Sequence, residues 1–326
     1  MKFLVTGGSG YIGSHMVKFL LNKNHIVTVY DNLTSGKIKY KSNIKFKKLD
    51  LINLRKLEKS MQKSKFDAVF HFAGLSIVEK SQKEKKRYYK NNVVATKNLV
   101  NTMIKNNINN LIFSSSASVY GKPLNNEIVE THKMKPISVY GKNKMEVEKF
   151  LLKKGKKNNF KSISFRYFNA AGADESSKIG ENHKPETHLI PKILNSIRNN
   201  NNNIHVYGRN YKTKDGTCIR DYVHVNDIVK AHYLGLRQFK KKKCTMNYNI
   251  GSGKGYSVLE IIKGIEKITK KKLKIIFKKR RRGDPPILVA NCSKIVRELN
   301  WKPKYKDINK ILLTAWKWHK KKNLII

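Results

Sequence analysis

The chain has 326 residues, 39% of them hydrophobic, which is enough to bury a full core and favours about two domains. No apolar run of about 18 residues occurs, and the N-terminus lacks the pattern of a signal peptide, so we expect a cytoplasmic chain without a membrane anchor. The three cysteines, Cys218, Cys244 and Cys292, are far apart and lack metal-ligand spacing, so we expect reduced thiols and no metal site.

The formal net charge of +48 at pH 7 raises the question of nucleic-acid binding, because clustered lysine and arginine residues neutralise phosphates. Two basic clusters occur, at residues 240–243 and 278–282. The other lysines are spread along the whole length, and no helix-turn-helix, zinc-finger or RNA-binding motif accompanies the clusters. We therefore expect no nucleic-acid partner and interpret the charge as a bias of composition.

Short apolar stretches alternate with helical patterns through the first half of the chain. Stretches rich in β-forming residues occur at 2–6, 26–30, 44–49, 68–72, 111–115 and 162–166. Between them, residues 12–21 and 88–104 show helical spacing. Apolar strands that alternate with helices predict a doubly wound parallel sheet, α/β in class, covered on both faces. After about Arg166 the alternation weakens, which predicts a smaller mixed α/β C-terminal lobe ending in a helix capped by Asp307.

A glycine-rich turn separates the first strand from the first helix. The stretch VTGGSGYIGSH contains Gly7, Gly10 and Gly13, at the point where a backbone can approach a pyrophosphate and a helix N-terminus can stabilise its charge. The second strand ends at Asp31, where a carboxylate can accept a hydrogen bond from a ribose 2′-hydroxyl and would repel a 2′-phosphate. The pattern predicts a site for NAD rather than NADP. A glycine turn that only closes the strand is the alternative.

The pentapeptide SVYGK occurs twice, so two tyrosines compete for a catalytic role. Tyr120 is followed by Pro123, which disfavours a helix, whereas Tyr140 opens a helical pattern that places Lys144 four residues later on the same face. A nearby ammonium lowers the pKa of a phenol, so this pair could act as a base. The serine cluster SSSAS follows the strand LIF and could share a hydrogen bond with a substrate alcohol. The alternative is an ordinary helix, with the tyrosine in the core and the lysine in solvent.

A series of longer motifs is more specific than these features. In chain order they are GGSGYIGSH, YDNL, HFAG, YYKNNV, FSSSASVYG, YGKNKMEVE, RYFNAAGAD, PETHLIP, DGTCIRDYVHV, YNIGSG, RRRGDPP and RELNW. The series resembles the UDP-glucose 4-epimerases, also called UDP-galactose 4-epimerases, of the extended short-chain dehydrogenase/reductase family. The resemblance covers almost the whole chain, and it implies an NAD-binding Rossmann domain over residues 1–168 and a nucleotide-sugar-binding lobe over residues 169–326.

This resemblance implies reversible inversion at C4 of a UDP-sugar through a 4-keto intermediate, with tightly bound NAD as the transient hydride acceptor. Tyr140 matches the catalytic base, Lys144 its partner and Ser116 the catalytic hydroxyl; Ser116 and Tyr140 also match substrate contacts. The matching cofactor positions are Gly7, Gly10, Tyr11, Ile12, Gly13, Asp31, Asn32, Asp50, Leu51, Phe72, Asn91 and Lys144. The matching nucleotide-sugar positions are Asn169, Leu189, Tyr207, Arg220, Arg281 and Asp284. Because family members are commonly dimers, we also expect a homodimer.

Two related reactions are disfavoured by the residues before the first VYG. The similar nucleotide-sugar 4,6-dehydratases typically carry Thr-Asp-Glu there, and UDP-glucuronate decarboxylases usually carry a glutamate where this chain has Ser118. This chain has Ser116, Ala117 and Ser118 in these places, so it lacks the carboxylate that elimination or decarboxylation needs as an acid or base. Epimerisation is therefore the favoured reaction.

Two positions depart from the family pattern. Ser76 stands where many members have a lysine that contacts the cofactor, so weaker retention of NAD is expected. Leu288 matches a tyrosine that narrows the sugar pocket in some members, so an alternative is an epimerase that also, or instead, acts on UDP-N-acetylglucosamine and UDP-N-acetylgalactosamine. A noncatalytic, polyanion-binding Rossmann protein is the more distant alternative.

Overall fold

The structure, a computed structural model, describes residues 1–36, 44–123, 127–240, 245–281 and 284–321. Cys244, residues 241–243 and Arg282, which entered the interpretation of the cysteines and the charge, lie outside these ranges. Cys218 and Cys292 lie within them and are free thiols. No helix in the described ranges has both the length and the apolar character that a membrane span requires.

Strands and helices alternate through residue 167, as predicted. The strands are β1 (Lys2–Thr6), β2 (Ile26–Asp31), β3 (Lys45–Lys48), β4 (Ala68–His71), β5 (Asn110–Ser116), β6 (Glu127–Ile128) and β7 (Lys161–Tyr167). The helices are α1 (Tyr11–Leu21), α2 (Leu54–Met61), α3 (Val78–Lys83), α4 (Lys85–Tyr89), α5 (Ala95–Lys105) and α6 (Val139–Asn158). A π-helical segment, Lys90–Val94, joins α4 to α5, so the helix predicted over 88–104 changes its hydrogen-bonding pattern along its length.

Shorter strands and longer connections follow in the second half. The strands are β8 (Asn169–Ala171), β9 (Asn203–Tyr207), β10 (Ile219–His224), β11 (Thr245–Ile250), β12 (Gly255–Ser257), β13 (Lys274–Lys278) and β14 (Ile287–Ala290). The helices are α7 (Leu189–Arg198), α8 (Val225–Gly235), α9 (Val258–Thr269), α10 (Ser293–Leu299) and α11 (Ile308–Lys321). The predicted cap of the last helix is present, because Asp307 Oδ1 accepts the N–H of Asn309 at 2.9 Å.

The main sheet contains seven strands in the described part of the chain, in the order β11-β7-β5-β4-β1-β2-β3. Strand β1 is parallel to both neighbours, so that Val5 lies opposite Val29 of β2 and Phe70 of β4. These three side chains are fully buried, which explains why the strands are apolar throughout. The strand order reverses between β1 and β4, and the carboxyl ends at such a switch point form the usual ligand crevice of an open α/β sheet. The predicted doubly wound sheet is confirmed.

A smaller, mixed sheet forms from later strands and β6. Its order is β12-β10-β14-β6, with β8 also paired to β10. Strand β10 is antiparallel to β12 but parallel to β14 and β8, and β9 and β13 form a separate parallel pair. Apolar side chains of α7, α9 and α11 form the core of this part of the chain. The predicted smaller mixed α/β region is also confirmed.

The chain forms two compact units, each built from three segments that are separated along the sequence. The first comprises residues 1–121, 133–166 and 229–248, and the second comprises residues 122–132, 167–228 and 249–326. The division after Phe168 stays a prediction; the units differ from it at residues 167–168 and in segments 122–132 and 229–248. Segment 122–132 joins the second unit because its strand β6 pairs with β14. Segment 229–248 joins the first unit because it contains the start of β11, which pairs with β7.

Candidate active site

The turn between β1 and α1 brings the predicted glycines into close backbone contact. Gly7 has a φ of +70°, and a Cβ there would lie 2.5 Å from the backbone nitrogen of Ala73. A Cβ at Gly13 would lie 2.1 Å from the Gly7 carbonyl oxygen. Neither position accepts a side chain, because backbone atoms that cannot move aside occupy the space. At Gly10, a Cβ would meet a single atom within 4 Å, the Gly7 carbonyl oxygen at 3.3 Å.

The N-terminus of α1 lies directly after this turn and suits an anion. Gly10 is its N-cap residue and has no side chain to accept a first-turn N–H, and Tyr11 and Ile12 are the first helical residues. The first turn carries no acidic side chain. Because the first N–H groups of a helix have no intrahelical partner and the helix dipole is positive there, a pyrophosphate is stabilised at such a position.

Asp31 ends β2, the neighbour of β1. Its Oδ2 accepts the N–H of Ser9 at 2.9 Å, and its Oδ1 accepts the N–H of Leu33 at 2.8 Å. Burial raises the pKa of Asp31, and these two hydrogen bonds oppose that shift. The next residue, Asn32, donates from Nδ2 to Asp50 Oδ2 at 3.0 Å, which links the end of β2 to the loop after β3.

The remaining predicted cofactor residues lie farther along the same unit. Leu51 is buried in the core beside Asp50. Phe72 comes directly after β4, and its N–H donates to the carbonyl oxygen of Thr6 at 2.9 Å. Asn91 lies on the π-helical segment, and its Nδ2 donates to the Arg87 carbonyl oxygen at 3.0 Å. The predicted residues from Gly7 to Phe72 thus all follow the carboxyl ends of neighbouring parallel strands.

Helix α6 and strand β5 bring the three predicted catalytic residues together. Lys144 Nζ donates to the carbonyl oxygen of Ser114, near the end of β5, at 2.7 Å. The same Nζ lies 5.6 Å from the centre of the Tyr140 ring. The Ser116 side chain, at the last residue of β5, interacts with the Tyr140 hydroxyl and favours its ionised form. A hydroxyl and an ammonium therefore both lie beside the phenol.

The first turn of α6 is anchored by two serines. Ser138, the N-cap residue, accepts the N–H of Gly141 at Oγ over 3.0 Å. The Tyr140 N–H donates to Ser81 Oγ at 3.2 Å. Capping by serine favours the helix start at this residue, and the second bond ties the backbone of the candidate base to α3.

The charges of the two residues on α6 follow from their burial. Burial raises the pKa of Tyr140 to about 12, and the interaction with Ser116 opposes the shift. Burial lowers the pKa of Lys144 to about 8, and the charge of Glu148 opposes that shift. At neutral pH the tyrosine therefore carries its proton and the lysine is largely cationic. Further positive charge beside the phenol would lower its pKa and allow it to accept a proton.

The second tyrosine of the repeated pentapeptide lies in a different environment. Tyr120 is buried, and its hydroxyl accepts a hydrogen bond from Arg166 NH1 at 2.8 Å. Arg166 also pairs with Glu148 of α6 at 2.6 Å, and both side chains are buried. The Tyr120 hydroxyl is thus part of a buried ion-pair network, which favours Tyr140 as the candidate base.

The predicted nucleotide-sugar residues belong to the second compact unit. The Arg281 guanidinium lies 4.3 Å from the centre of the Tyr207 ring, which ends β9. Arg220 NH2 donates to Asp284 Oδ1 at 2.8 Å. On the mixed sheet, Arg220 of β10 stands opposite Leu288 of β14. The structure therefore groups four of the predicted residues into two cation-containing pairs.

Two other predicted substrate residues lie on separate elements of this unit. Asn169 begins β8 and stands opposite Tyr222 of β10, two positions beyond Arg220. Leu189 begins α7 and packs, partly buried, against the core of the unit. The described contacts therefore support Asn169 as a neighbour of the Arg220 strand, and they show Leu189 mainly as a packing residue.

The chain matches the model of a family described as the NAD dependent epimerase/dehydratase family over residues 3–251. The chain belongs to this family. It is 42% identical to a UDP-glucose 4-epimerase of Lactobacillus helveticus, over 98% of this chain and 97% of that protein. Among solved structures, it is similar to the UDP-glucose 4-epimerase from Bifidobacterium longum in complex with NAD+ and UDP, with 34% identity, 99% of each chain covered and a TM-score of 0.92.

A further similar structure is the UDP-Glc/GlcNAc 4-epimerase from Campylobacter jejuni, with 36% identity, a TM-score of 0.84, and 98% of this chain and 99% of that chain covered. Family membership makes the chain an NAD-dependent enzyme, so the cofactor predicted from Asp31 is confirmed. The uncapped α1, the glycines of the preceding turn and the carboxylate at the end of β2 fit this cofactor.

One buried residue close to Lys144 was missed by the sequence analysis. His71 ends β4, and its Nδ1 lies 2.6 Å from Thr6 Oγ1 while its Nε2 lies 2.8 Å from Thr96 Oγ1. Burial lowers the pKa of His71 to about 3, with the charge of Lys144 adding to the effect. A neutral imidazole therefore bridges the ends of β1 and β4 and helix α5. The position of His71 in the HFAG motif, at a strand end, was the available signal.

A second missed residue holds the loop that follows β4. Asn92 accepts the N–H of Leu75 at Oδ1 over 2.8 Å and donates from Nδ2 to the carbonyl oxygen of Leu75 over 2.9 Å. It lies on the π-helical segment next to Asn91, and such segments are frequent at functional sites. The sequence contained no signal to separate these adjacent asparagines, because a regular helix was predicted there.

Proposed function

We propose that this chain is a UDP-glucose 4-epimerase, which interconverts UDP-glucose and UDP-galactose in galactose metabolism. The observation that carries the proposal is that Ser116 and Lys144 both lie beside Tyr140 in a member of an NAD-dependent epimerase and dehydratase family. The similarity to the UDP-glucose 4-epimerase of Lactobacillus helveticus supports it. The absence of a carboxylate among residues 116–118 supports epimerisation over dehydration within this family.

Each residue of the catalytic group has a role that its surroundings permit. Ser116 interacts with the Tyr140 side chain and can pass a proton between the sugar C4 hydroxyl and Tyr140. Lys144 is held by the Ser114 carbonyl oxygen, so its charge stays beside the tyrosine and favours the phenolate. When bound, NAD would supply the hydride acceptor for the sugar C4 and the hydride donor for the 4-keto sugar. Tyr140 then gives the proton back to the C4 oxygen.

The second compact unit supplies the groups that suit the UDP part. Arg281 and Arg220 provide guanidinium groups, which form forked, charge-assisted hydrogen bonds with a diphosphate. The Tyr207 ring, 4.3 Å from the Arg281 guanidinium, offers an aromatic face for uracil. Asp284 holds the Arg220 guanidinium at 2.8 Å and thereby limits its conformations. The similar Bifidobacterium longum structure, a complex with NAD+ and UDP, supports this choice of nucleotide.

A coupled assay tests the proposal. The purified chain is supplied with UDP-galactose, and the UDP-glucose formed is oxidised by an added dehydrogenase while NADH absorbance is followed. We expect turnover in the range of about 1–1000 per second, typical of enzymes. Absence of UDP-glucose formation by a folded chain that contains NAD would contradict the proposal.

A second candidate function is epimerisation of N-acetylated UDP-sugars. It is favoured by Leu288, a partly buried leucine opposite Arg220, where a tyrosine narrows the pocket in some family members. The Campylobacter jejuni protein, named as a UDP-Glc/GlcNAc 4-epimerase, supports it. We expect the chain to convert UDP-N-acetylglucosamine, and Leu288→Tyr to reduce that activity about 10- to 100-fold while UDP-galactose turnover changes little, because a pocket clash costs roughly 1–3 kcal/mol.

The measurement is kcat/KM for both substrates with both proteins. Val289→Ile is the matched control. It also enlarges an apolar side chain, at the next position of the same strand, β14. If the unmodified chain leaves UDP-N-acetylglucosamine untouched, this second function is wrong.

We also propose that the chain works as a cytoplasmic homodimer. Light scattering of the purified protein measures its mass, and a monomeric mass would rule out the dimer.

A further inference from the structure

Four side chains in the loop before α7 converge on one point of the second compact unit. Glu181, His183, Glu186 and His188 each offer one nitrogen or oxygen atom, and these atoms all lie within 4.8 Å of one another. His183 Nδ1 lies 3.1 Å from Glu181 Oε1 and 3.9 Å from Glu186 Oε2, and His188 Nδ1 contacts the same Glu181 oxygen. No cysteine belongs to the cluster, so the cysteine spacing that argued against a metal site does not bear on it.

The distances suit a small divalent cation. Four ligand atoms around a tetrahedral zinc ion, with bonds of about 2.0–2.2 Å, lie roughly 3.4 Å from one another. The separations of 3.1 Å and 3.9 Å from His183 Nδ1 lie on either side of this value. Small movements of side chains would therefore complete the coordination without a change of the backbone.

One of the two carboxylates has an oxygen that the protein leaves without a hydrogen bond. The Glu186 side chain is only 9% exposed. Its Oε1 accepts the N–H groups of Thr187 and His188 at 2.8 Å and 2.9 Å. Its Oε2 is buried and accepts no hydrogen bond from any described residue, and it is the atom that faces His183. Because a buried carboxylate oxygen without a partner is costly, it indicates a ligand that the protein itself does not supply.

The loop that presents these groups is held in place by its surroundings. The carbonyl oxygen of Glu181 accepts a hydrogen bond from Trp318 Nε1 at 3.1 Å. The same indole packs on Gly180, where a Cβ would lie 2.5 Å from the ring. The N–H of Asp174 donates to the carbonyl oxygen of Ile179 at 3.1 Å and closes the preceding turn. A cation would therefore meet a carboxylate whose backbone is already fixed, which reduces the entropic cost of binding.

We propose that Glu181, His183, Glu186 and His188 bind a divalent first-row transition cation, with zinc as the best match. Two imidazole nitrogens and two carboxylate oxygens are a ligand set that zinc accepts, whereas magnesium and calcium prefer oxygen alone. Four protein ligands fill a tetrahedral shell, so the ion has a structural role. The carboxylates form the buried side of the site, and His188, with 49% of its side chain exposed, lies at its solvent side.

The ion would stabilise the start of α7. His188 is the N-cap residue of this helix, and Leu189, its first residue, is a predicted contact of the nucleotide-sugar. This consequence rests on the proposed function: loss of the ion is expected to raise the KM for UDP-galactose severalfold and to leave the NAD content unchanged. Metal binding itself needs neither NAD nor a sugar, so its failure and the failure of the epimerase proposal can be told apart.

The test uses the full chain without a histidine tag. The protein is freed of metal with a chelator, returned to chelator-free buffer and titrated with zinc chloride in a calorimeter. We expect one zinc ion per chain with a Kd below about 1 µM, as structural zinc sites typically bind more tightly still. Cobalt in place of zinc should give the intense visible absorption of a four-coordinate site. Less than half an equivalent of bound zinc, or a cobalt spectrum of the six-coordinate aqueous ion, would overturn the proposal.

Variants identify the ligands. Glu181→Gln and His183→Gln are each expected to weaken zinc binding about 100-fold, since even residues that only support ligands are worth 10- to 100-fold in affinity. His183 is partly exposed, so its variant is expected to fold even if the Glu181 variant does not. His205→Ala is the matched control, because His205 is an exposed histidine on β9 of the same unit. Equal loss of affinity in this control, or full affinity in His183→Gln, would show that zinc binds elsewhere.

Discussion

Replacing Tyr140 with phenylalanine is expected to reduce the interconversion of UDP-galactose and UDP-glucose by about 1000-fold. The substitution removes one oxygen atom, which interacts with Ser116 and belongs to a ring whose centre lies 5.6 Å from Lys144 Nζ. A positioned general acid–base group contributes about 100- to 10,000-fold to a rate. Because the ring remains, the packing of α6 and the NAD content should be unchanged. The coupled assay gives kcat, and the absorbance of the released cofactor gives the NAD content.

The repeated pentapeptide supplies a matched control, Tyr120→Phe. The Tyr120 hydroxyl accepts a hydrogen bond from Arg166 at 2.8 Å in a buried network. Its removal leaves a charged donor without one partner, so stability should fall by about 1–3 kcal/mol while kcat stays within a few-fold. Equal turnover by Tyr140→Phe and the unmodified chain would show that Tyr140 is not the base. A large loss of kcat in Tyr120→Phe alone would point to the other copy.

The second large effect is expected on stability, from Glu148→Gln. Glu148 Oε1 accepts a hydrogen bond from Ser115 Oγ at 2.5 Å, and its Oε2 accepts one from Arg166 NH2 at 2.6 Å. The side chains of Arg166 and Glu148 are 2% and 4% exposed. Removal of the carboxylate charge leaves a buried guanidinium without its counter-charge, which typically costs about 3–5 kcal/mol. Urea unfolding followed by circular dichroism measures this difference.

Glu146→Gln provides the control on the same helix. Glu146 pairs with Lys97 at 2.7 Å, but the two side chains are 39% and 33% exposed. Ion pairs exposed to this extent contribute about 0–1 kcal/mol because solvent screens them. If both variants lose the same small amount of stability, the buried network is not a main support of the fold. A combined Glu148→Leu and Arg166→Met variant should recover much of the loss, since it removes both charges.

The network also affects the candidate lysine, because Glu148 lies one turn after Lys144 on α6. The charge of Glu148 raises the pKa of Lys144, against the larger opposite effect of burial. Glu148→Gln should therefore move that pKa below about 8. Lys144 must be cationic to favour the phenolate, so activity is lost as the pH rises through its pKa. The alkaline decline of kcat should accordingly begin at a lower pH in this variant.

The local sequence was sufficient to predict those features whose residues lie close together along the chain. Gly7, Gly10 and Gly13 lie in the turn after β1 and the first turn of α1, and Asp31 ends the next strand. Lys144 follows Tyr140 by a helical turn, so their contact required only that α6 be helical. Periodicity and apolar runs also predicted the doubly wound sheet, because each strand and helix must bury its own apolar residues.

Other features depended on pairing between distant segments. Nothing in the sequence near β6 indicates that it pairs with β14, or that the chain from 229 to 248 packs with the first unit. Likewise, Glu148 continues the spacing of Tyr140 and Lys144, yet its partner Arg166 lies on another element, β7. The role of such a residue is decided by which side chains surround it, and a one-dimensional pattern does not contain that information.

Local spacing and motifs thus predicted the fold class and the cofactor, which are confirmed, and the choice of Tyr140 over Tyr120, which stays a prediction. Long-range packing was needed to place Tyr120 beside a buried ion pair, to let His71 bridge β1, β4 and α5, and to leave Glu186 with an oxygen that accepts no hydrogen bond from the described residues. Burial decides these roles, because a polar or charged group removed from water must find its partner among side chains that folding brings within about 3 Å.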